Sequence, residues 1–249
     1  MKTGLAAKFG KDEQAGKYPY IRPKDAATLL ILEGKGKDTR VLMGRRHMRH
    51  TFMPGKFVFP GGRLDPSDSR ISVVRDYHPV VEAKLSDQLK GPKTPARVRA
   101  FALAAIRETY EEAGLFIGRK VDHAEKIHLG KGFEDFATRS IMPDLEPLRM
   151  IARAITPPNR SRRFDTRFLA VSAHSIADRL ESGTGPSGEL EDIAWLTLDE
   201  AASMDELPMI TRQILQDLGE RLEFDPDLAP ESAVPFYFYK NGDFQKNQI

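Results

Sequence analysis

Three glutamates stand close together in the stretch Ala104-Ala105-Ile106-Arg107-Glu108-Thr109-Tyr110-Glu111-Glu112-Ala113-Gly114-Leu115. If the stretch is helical, an advance of about 100° per residue puts Glu108, Glu111 and Glu112 on one arc. Leu103, Ile106, Tyr110 and Ala113 then fall on the opposite side, facing a core. The pairs 108/111 and 108/112 are like charges at contact spacing, each destabilising an isolated helix by roughly 0.2–0.5 kcal/mol. They also sit near the helix C-terminus, where carboxylates oppose the macrodipole. A bound divalent cation reverses both penalties, and hard oxygen ligands suit Mg²⁺ or Mn²⁺. An isolated Glu-Glu pair is usually just a solvated face. The surroundings of this one set it apart.

Upstream lies Phe59-Pro60-Gly61-Gly62, where two glycines allow close approach of the backbone to a ligand. Two basic clusters are suited to phosphate. One is Arg45-Arg46-His47-Met48-Arg49-His50, just before the Gly-Gly turn; the other is Asn159-Arg160-Ser161-Arg162-Arg163. Phe52, Phe57 and Phe164 are aromatic neighbours of these clusters that read as core residues, with stacking on a base the weaker alternative. His47, His50 and His78 read as solvent-facing or structural, with metal ligation the weaker alternative.

Regular elements must hold these groups in place. Ala26 to Glu33 is a short apolar run that reads as a buried strand. Gly34 to Asp38 is turn chemistry, and Arg40 to Arg46 reads as the second arm of a hairpin. Phe57 to Phe59 is a further strand. Thr94 and Pro95 form a helix start, and Gly114 stands where a helix-ending glycine belongs. Strands are expected at 115–119, 148–156, 167–172 and 193–197. A helix is expected from Pro208 to Leu222, with Ile210, Ile214, Leu218 and Leu222 on one stripe. Between Pro79 and Lys90, Val81, Leu85 and Leu89 recur at four-residue spacing, marking a short amphipathic helix. Phe236 to Tyr239 reads as an edge strand or docked tail. Residues 1–24 read as an arm, 25–225 as one domain and 226–249 as the C-terminal tail or edge strand. The fold class expected is α/β with a mixed sheet.

Composition narrows the chemistry. Among 249 residues, 38 Lys and Arg balance 36 Asp and Glu, so a wholesale polyanion binder is not expected. No cysteine is present, which excludes disulfides, thiolate zinc sites and a cysteine nucleophile. No apolar run reaches the roughly 18 residues of a membrane span. The polar start of the chain lacks the apolar region of a secretory signal. A cytoplasmic protein without a membrane or a stable nucleic-acid partner is the expectation.

The chain resembles the Nudix hydrolases, whose signature is G-x5-E-x7-R-E-U-x-E-E-x-G-U, with U a bulky apolar residue. Arg107-Glu108-Thr109-Tyr110-Glu111-Glu112-Ala113-Gly114-Leu115 matches its second half, with Thr109 in place of the first apolar residue. Phe59-Pro60-Gly61-Gly62 matches its lead-in. Gly62 and Arg107 stand 45 positions apart where the signature allows 14, so 31 residues are inserted, at about 66–95. Counted forward from Gly62, the signature's first glutamate falls on Asp68; counted back from Arg107, it falls on Arg99. The split, the run Phe52 to Asp65, and Ile155-Thr156-Pro157-Pro158 with Arg162 to Thr166 resemble the coenzyme A diphosphatase-like subgroup of peroxisomal type. That subgroup's upstream motif is matched in part, by Leu42-Met43-Gly44-Arg45 and Gly55, with His50 where a second arginine is usual.

The resemblance implies an α/β/α sandwich with a mixed sheet and a helical insertion inside the signature, able to pack outside the core. It implies a pyrophosphohydrolase using Mg²⁺ or Mn²⁺, held by Glu108, Glu111, Glu112 and a backbone carbonyl of Gly61 or Gly62. Arg107 orients a glutamate. The general base is sought on a distant loop, at Glu189 or Glu191. Arg45, Arg46, Arg49, Arg162, Arg163 and Phe59 are the substrate-binding candidates. The substrate class implied is a small nucleotide, coenzyme A or an acyl-coenzyme A. Hydrolysis of ADP-ribose, NADH, a dinucleoside polyphosphate or capped RNA is the alternative, and a non-catalytic nucleotide sensor a further one. Members often dimerise, so a homodimer is one assembly left open.

Overall fold

A computed structural model describes residues 18–49, 54–122 and 129–249. His50, Phe52 and most of the N-terminal arm lie outside the described residues. The central strand is β1 (Lys24–Glu33), whose Leu29, Leu30 and Ile31 are buried on both faces of the sheet. A strand that alternates sides while staying apolar must be covered by two layers. β1 turns through Gly34 (φ +83°), where a side chain would press on the Asp38 carbonyl, and pairs antiparallel with β2 (Arg40–Arg46). β3 (Phe57–Val58) pairs with β2. β4 (Gly61–Arg63) lies along the start of β1, so the Gly-Gly turn is itself strand-paired.

Among the described residues the main sheet has nine strands, ordered β11-β2-β1-β9-β8-β12-β13 with β3 and β4 attached. Here β8 is Arg149–Ile155, β9 Phe164–Ser172, β11 Leu190–Thr197, β12 Pro235–Lys240 and β13 Asp243–Gln248. β1 runs parallel to β9 and β8 parallel to β12; the other pairs are antiparallel. Two small ribbons pair β5 (Leu115–Ile117) with β10 (Ile176–Arg179), and β6 (Arg119–Lys120) with β7 (Ile141–Met142).

One face of the sheet is covered by helices α1 (Pro79–Ser86) and α2 (Pro95–Ala113), with α3 (Glu134–Thr138) beside them. Ala27, Leu29 and Ile31 pack there against Phe101, Ala105 and Ile106. The other face carries α4 (Leu198–Ser203) and α5 (Met209–Phe224), where Leu30, Val41 and Met43 meet Ile214, Leu215 and Leu218. The architecture is therefore the expected α/β/α sandwich with a mixed sheet. Among the described residues, no helix is long and apolar enough to cross a membrane.

Helix α2 has the expected ends. Thr94 accepts a hydrogen bond from the Arg97 N–H at 3.3 Å, Pro95 opens the helix, and Gly114 closes it at φ +69°. The insertion departs from expectation. It does not pack outside the core. Tyr77, Val81, Leu85 and Leu89 are buried beside Val98, Phe101 and Ala102 of α2. The Tyr77 hydroxyl accepts from Ala102 N–H at 2.9 Å and donates to the Val98 carbonyl at 3.3 Å, entering the helix's own ladder. Lys84 Nζ ties α1 to the Ser232 carbonyl at 2.6 Å. The physical reason is the width of the sheet. α2 covers its centre, and α1 continues that layer over β8.

The C-terminus also differs. Phe236 to Tyr239 lies inside the sheet, between β8 and β13, and the polar strand β13 forms the edge. Exposed Lys246, Asn247 and Gln248 suit an edge that must not recruit another strand. Strands β9 and β11 start three residues earlier than expected, at Phe164 and Leu190. Their charged ends are paired with charges opposite, as in Glu191 beside Arg45, and so lack an apolar pattern.

Candidate active site

A cleft of about 360 Å³ opens at one end of the sheet, on the α5 side. Its walls come from the C-terminal half of α2, the β3–β4 turn, the starts of β1, β9 and β11, and the first residues of α5. Alternation along the strands selects which residues reach it. Ala26 and Thr28 on β1, and Phe164, Thr166 and Phe168 on β9, point into the cleft, while Asp25, Asp165 and Arg167 lie on the reverse face.

Glu108 and Glu112 line the cleft. Glu112 is 1% exposed, and its Oε2 accepts the Gly61 N–H at 3.0 Å. Burial and then the charge of Glu108 push its carboxyl up to about 8. Burial likewise raises Glu108. A side chain at Gly62 would overlap the Glu108 carboxylate as it stands, so a larger residue there would displace that carboxylate. Glu111 stands apart. Its carboxylate meets Arg107 at 3.2 Å, and it does not line the cleft. Among the described residues no three acidic or histidine side chains are gathered to hold a metal ion. The donor set facing the cleft is the Glu108–Glu112 pair with the backbone of the Gly-Gly turn. The Gly61 N–H is engaged by Glu112 and holds that carboxylate against the turn.

Arg107 organises this face. Its guanidinium grips Asp68 with two bonds, at 2.9 and 3.2 Å, and reaches Glu108 at 2.9 Å. Asp68 is fully buried, at the start of the 3-10 turn Asp68–Arg70. The residue reached by counting forward from Gly62 is thus the one that Arg107 grips. Arg99, the backward count, pairs instead with Asp76 at 3.2 Å. A buried arginine beside two glutamates needs a carboxylate, and Asp68 supplies it.

The basic candidates divide. Arg46 lines the cleft, ion-paired to Glu189 and 4.0 Å from Glu112. Arg45, one residue away, turns outward to Asp192 and to Glu191 at 3.6 Å. Arg49 donates to the Gly188 carbonyl at 2.9 Å and does not line the cleft. Arg162 lines the cleft. Arg163 instead donates to the carbonyls of Thr156 and Ile21 and stacks on Tyr20, tying down the arm's end. Phe59 lines the cleft, as does Glu189; Glu191 faces Arg45 and His47 outside it. His47 Nδ1 accepts the Arg49 N–H, and His78 caps α1.

Several lining residues had no signal in the sequence reading: Arg63, Thr28, Phe168, Ile210 and Thr211. Arg63 directly follows the Gly-Gly pair and was within reach of that motif. Ile210 and Thr211 were not, because only the packing of α5 brings them to the cleft.

An α/β/α sandwich whose glutamate helix faces a Gly-Gly turn across a charged cleft is the arrangement of the Nudix hydrolases, and the chain is similar to members of that class. It is 28% identical over 200 residues to the acyl-coenzyme A diphosphatase NUDT19 of Xenopus laevis, covering 62% of this chain and 52% of that protein. The chain thus spans about half the length of this curated relative. The crystal structure of a NUDIX hydrolase from Alicyclobacillus acidocaldarius superposes with a TM-score of 0.61 at 27% identity, over 85% of this chain and 96% of that one. No protein-family model matches the chain.

Proposed function

We propose that the chain hydrolyses the pyrophosphate of a small nucleoside diphosphate derivative, and that coenzyme A or an acyl-coenzyme A is its substrate class. The observation that carries this reading is the mixed lining of the cleft. Glu108, Glu112, Glu189, Arg46 and Arg162 share it with Phe59, Phe164, Phe168, Ile210 and threonine side chains. Among the described residues that line the cleft there is no Asn, Gln, Asp or His to read the edge of a nucleobase. Apolar walls with scattered hydroxyls suit an aliphatic chain bearing amides, such as the pantetheine arm. The name of the Xenopus laevis relative supports the same class.

A pyrophosphate resists hydrolysis because its anionic oxygens repel a nucleophile. Arg46 and Arg162 are suited to bind those oxygens by charge-assisted hydrogen bonds. Two buried like-charged carboxylates, both held above their ordinary range, form a donor set that fits a hard divalent cation. In this reading Glu108 and Glu112 hold Mg²⁺ or Mn²⁺, which when bound neutralises phosphate charge and acidifies water. Arg107, fixed by Asp68, orients Glu108. Glu189 accepts a proton from the attacking water. The water oxygen bonds to phosphorus, the bridging P–O bond breaks, and two phosphomonoesters leave. Coenzyme A would yield phosphopantetheine and adenosine 3′,5′-bisphosphate.

The test is incubation with Mn²⁺ and, separately, coenzyme A, ADP-ribose, NADH and a dinucleoside polyphosphate, with products identified by mass. Phosphopantetheine from coenzyme A is the expected result. Cleavage of another substrate with coenzyme A left intact overturns the substrate class.

A further inference from the structure

We propose that the segment Gly185–Glu189 is a rigid strut that sets the general base Glu189 at a fixed distance from Glu112. The proposal rests on the catalytic reading above. Its evidence is the way the end of α2 is capped. The last carbonyls of a helix have no partner within it. Here the Gly185 N–H donates to the Glu112 carbonyl at 3.1 Å, and the Ser187 N–H to the Glu111 carbonyl at 2.9 Å. The peptide groups that carry the two glutamates thus carry the loop as well.

Gly185 is the one buried residue between 181 and 187. A Cβ there would overlap the Glu111 carbonyl, so only glycine allows the loop to lie on the helix end. The remaining links lead to the base. Ser187 Oγ accepts the Glu189 N–H at 3.2 Å. On the far side, the Glu189 carbonyl accepts the His47 N–H at 3.0 Å, and Leu190 pairs with Arg46. The backbone of Glu189 is therefore held from both directions, by the glutamate helix through the loop and by β2 through its carbonyl. Gly185 and Ser187 are positioning residues in this scheme, acting through Glu189.

Two measurements on the full chain test it. Amide hydrogen exchange of the free protein reads the strut without reference to activity. The Gly185 and Ser187 amides are expected to be protected; exchange at unprotected rates overturns the proposal. Kinetics then read its consequence. Gly185→Ala is expected to lower kcat on the order of a hundredfold, the scale of an ångström-sized misplacement. KM should stay within about twofold, because ground-state binding is untouched. Ser187→Ala removes no contact with the helix, so it should fold even if Gly185→Ala does not, and it is expected to lower kcat about three- to tenfold, as loss of one hydrogen bond predicts. Folded variants with wild-type kcat overturn the strut. If the wild-type chain cleaves none of the nucleotides, the catalytic reading fails, and exchange alone decides the strut: protected amides support it and unprotected ones refute it.

Discussion

The molecule holds two groups of buried charge, one in the cleft and one on strands β1, β8 and β9. In the cleft, Glu112 lies beside Glu108 and is approached by Arg46 at 4.0 Å, while Glu108 is bonded by Arg107 at 2.9 Å. On the reverse face, under α1 and α2, Arg153 holds Asp165 by two bonds of 2.8 Å, and Arg167 reaches Asp165 at 3.1 Å and Asp25 at 3.2 Å. Arg97 completes the set at 2.8 Å from Asp25, and the two buried guanidiniums stack on Phe101 and Phe236. Arg167 is wholly buried, and burial lowers it to about 10, which leaves it charged at neutral pH. Both groups are desolvated. They differ in compensation: each carboxylate of the second group has a cation within 3.2 Å, whereas Glu112 has a carboxylate neighbour and its recorded cation only at 4.0 Å. Burial of charge alone therefore marks nothing. A buried carboxylate with a like-charged neighbour and no close cation is where a ligand can supply the balance.

The sharpest test of this contrast is Glu112→Gln. It should cut kcat on the order of a thousandfold while the fold stays intact, since the amide relieves the repulsion and removes the charge. Steady-state kinetics with circular dichroism would check this, and full turnover would refute the assignment. Arg153→Met should do the reverse. Removing one partner of a buried pair costs about 3–5 kcal/mol, read by urea unfolding. Turnover per folded molecule should stay within about twofold of wild type, because the residue does not line the cleft.

Smaller effects sharpen the boundary. Arg162→Ala should raise KM about tenfold, the value of one charge-assisted contact. Arg163→Ala, next to it, should leave KM within about twofold and instead lower the melting temperature, since its bonds tie the arm to the β8–β9 hairpin. Least affected should be Glu191→Gln, whose pair with Arg45 is exposed; kcat should change by less than about twofold. A large loss there would move the general base from Glu189 to Glu191.

The readable part of the site was the part confined to one element. The α2 cap residues, the Gly114 stop and the Glu108–Glu112 spacing follow from rules that act within a few residues, so their positions matched. Arg45 and Arg46 were indistinguishable as types. Only the strand period separates them, and the period has no sign until the sheet's faces are known. Arg162 and Arg163 present the same difficulty. Glu111 was grouped with its neighbours because an arc of helix surface does not show what stands opposite each position. Here Arg107 holds it away from the cleft.

The sequence by itself determined the class of fold, the glutamate helix with its caps, the Gly-Gly turn and the arc of three glutamates. These are matters of local geometry and of residue type at fixed spacing. Tertiary structure decided the rest. It chose Asp68 as Arg107's partner across the inserted segment, brought α1 into the core, and set Ile210 and Thr211 of α5 opposite Phe59. It also joined the end of α2 to Glu189. Each of these depends on contacts between residues far apart in the chain, which packing against a shared sheet selects and no local pattern encodes.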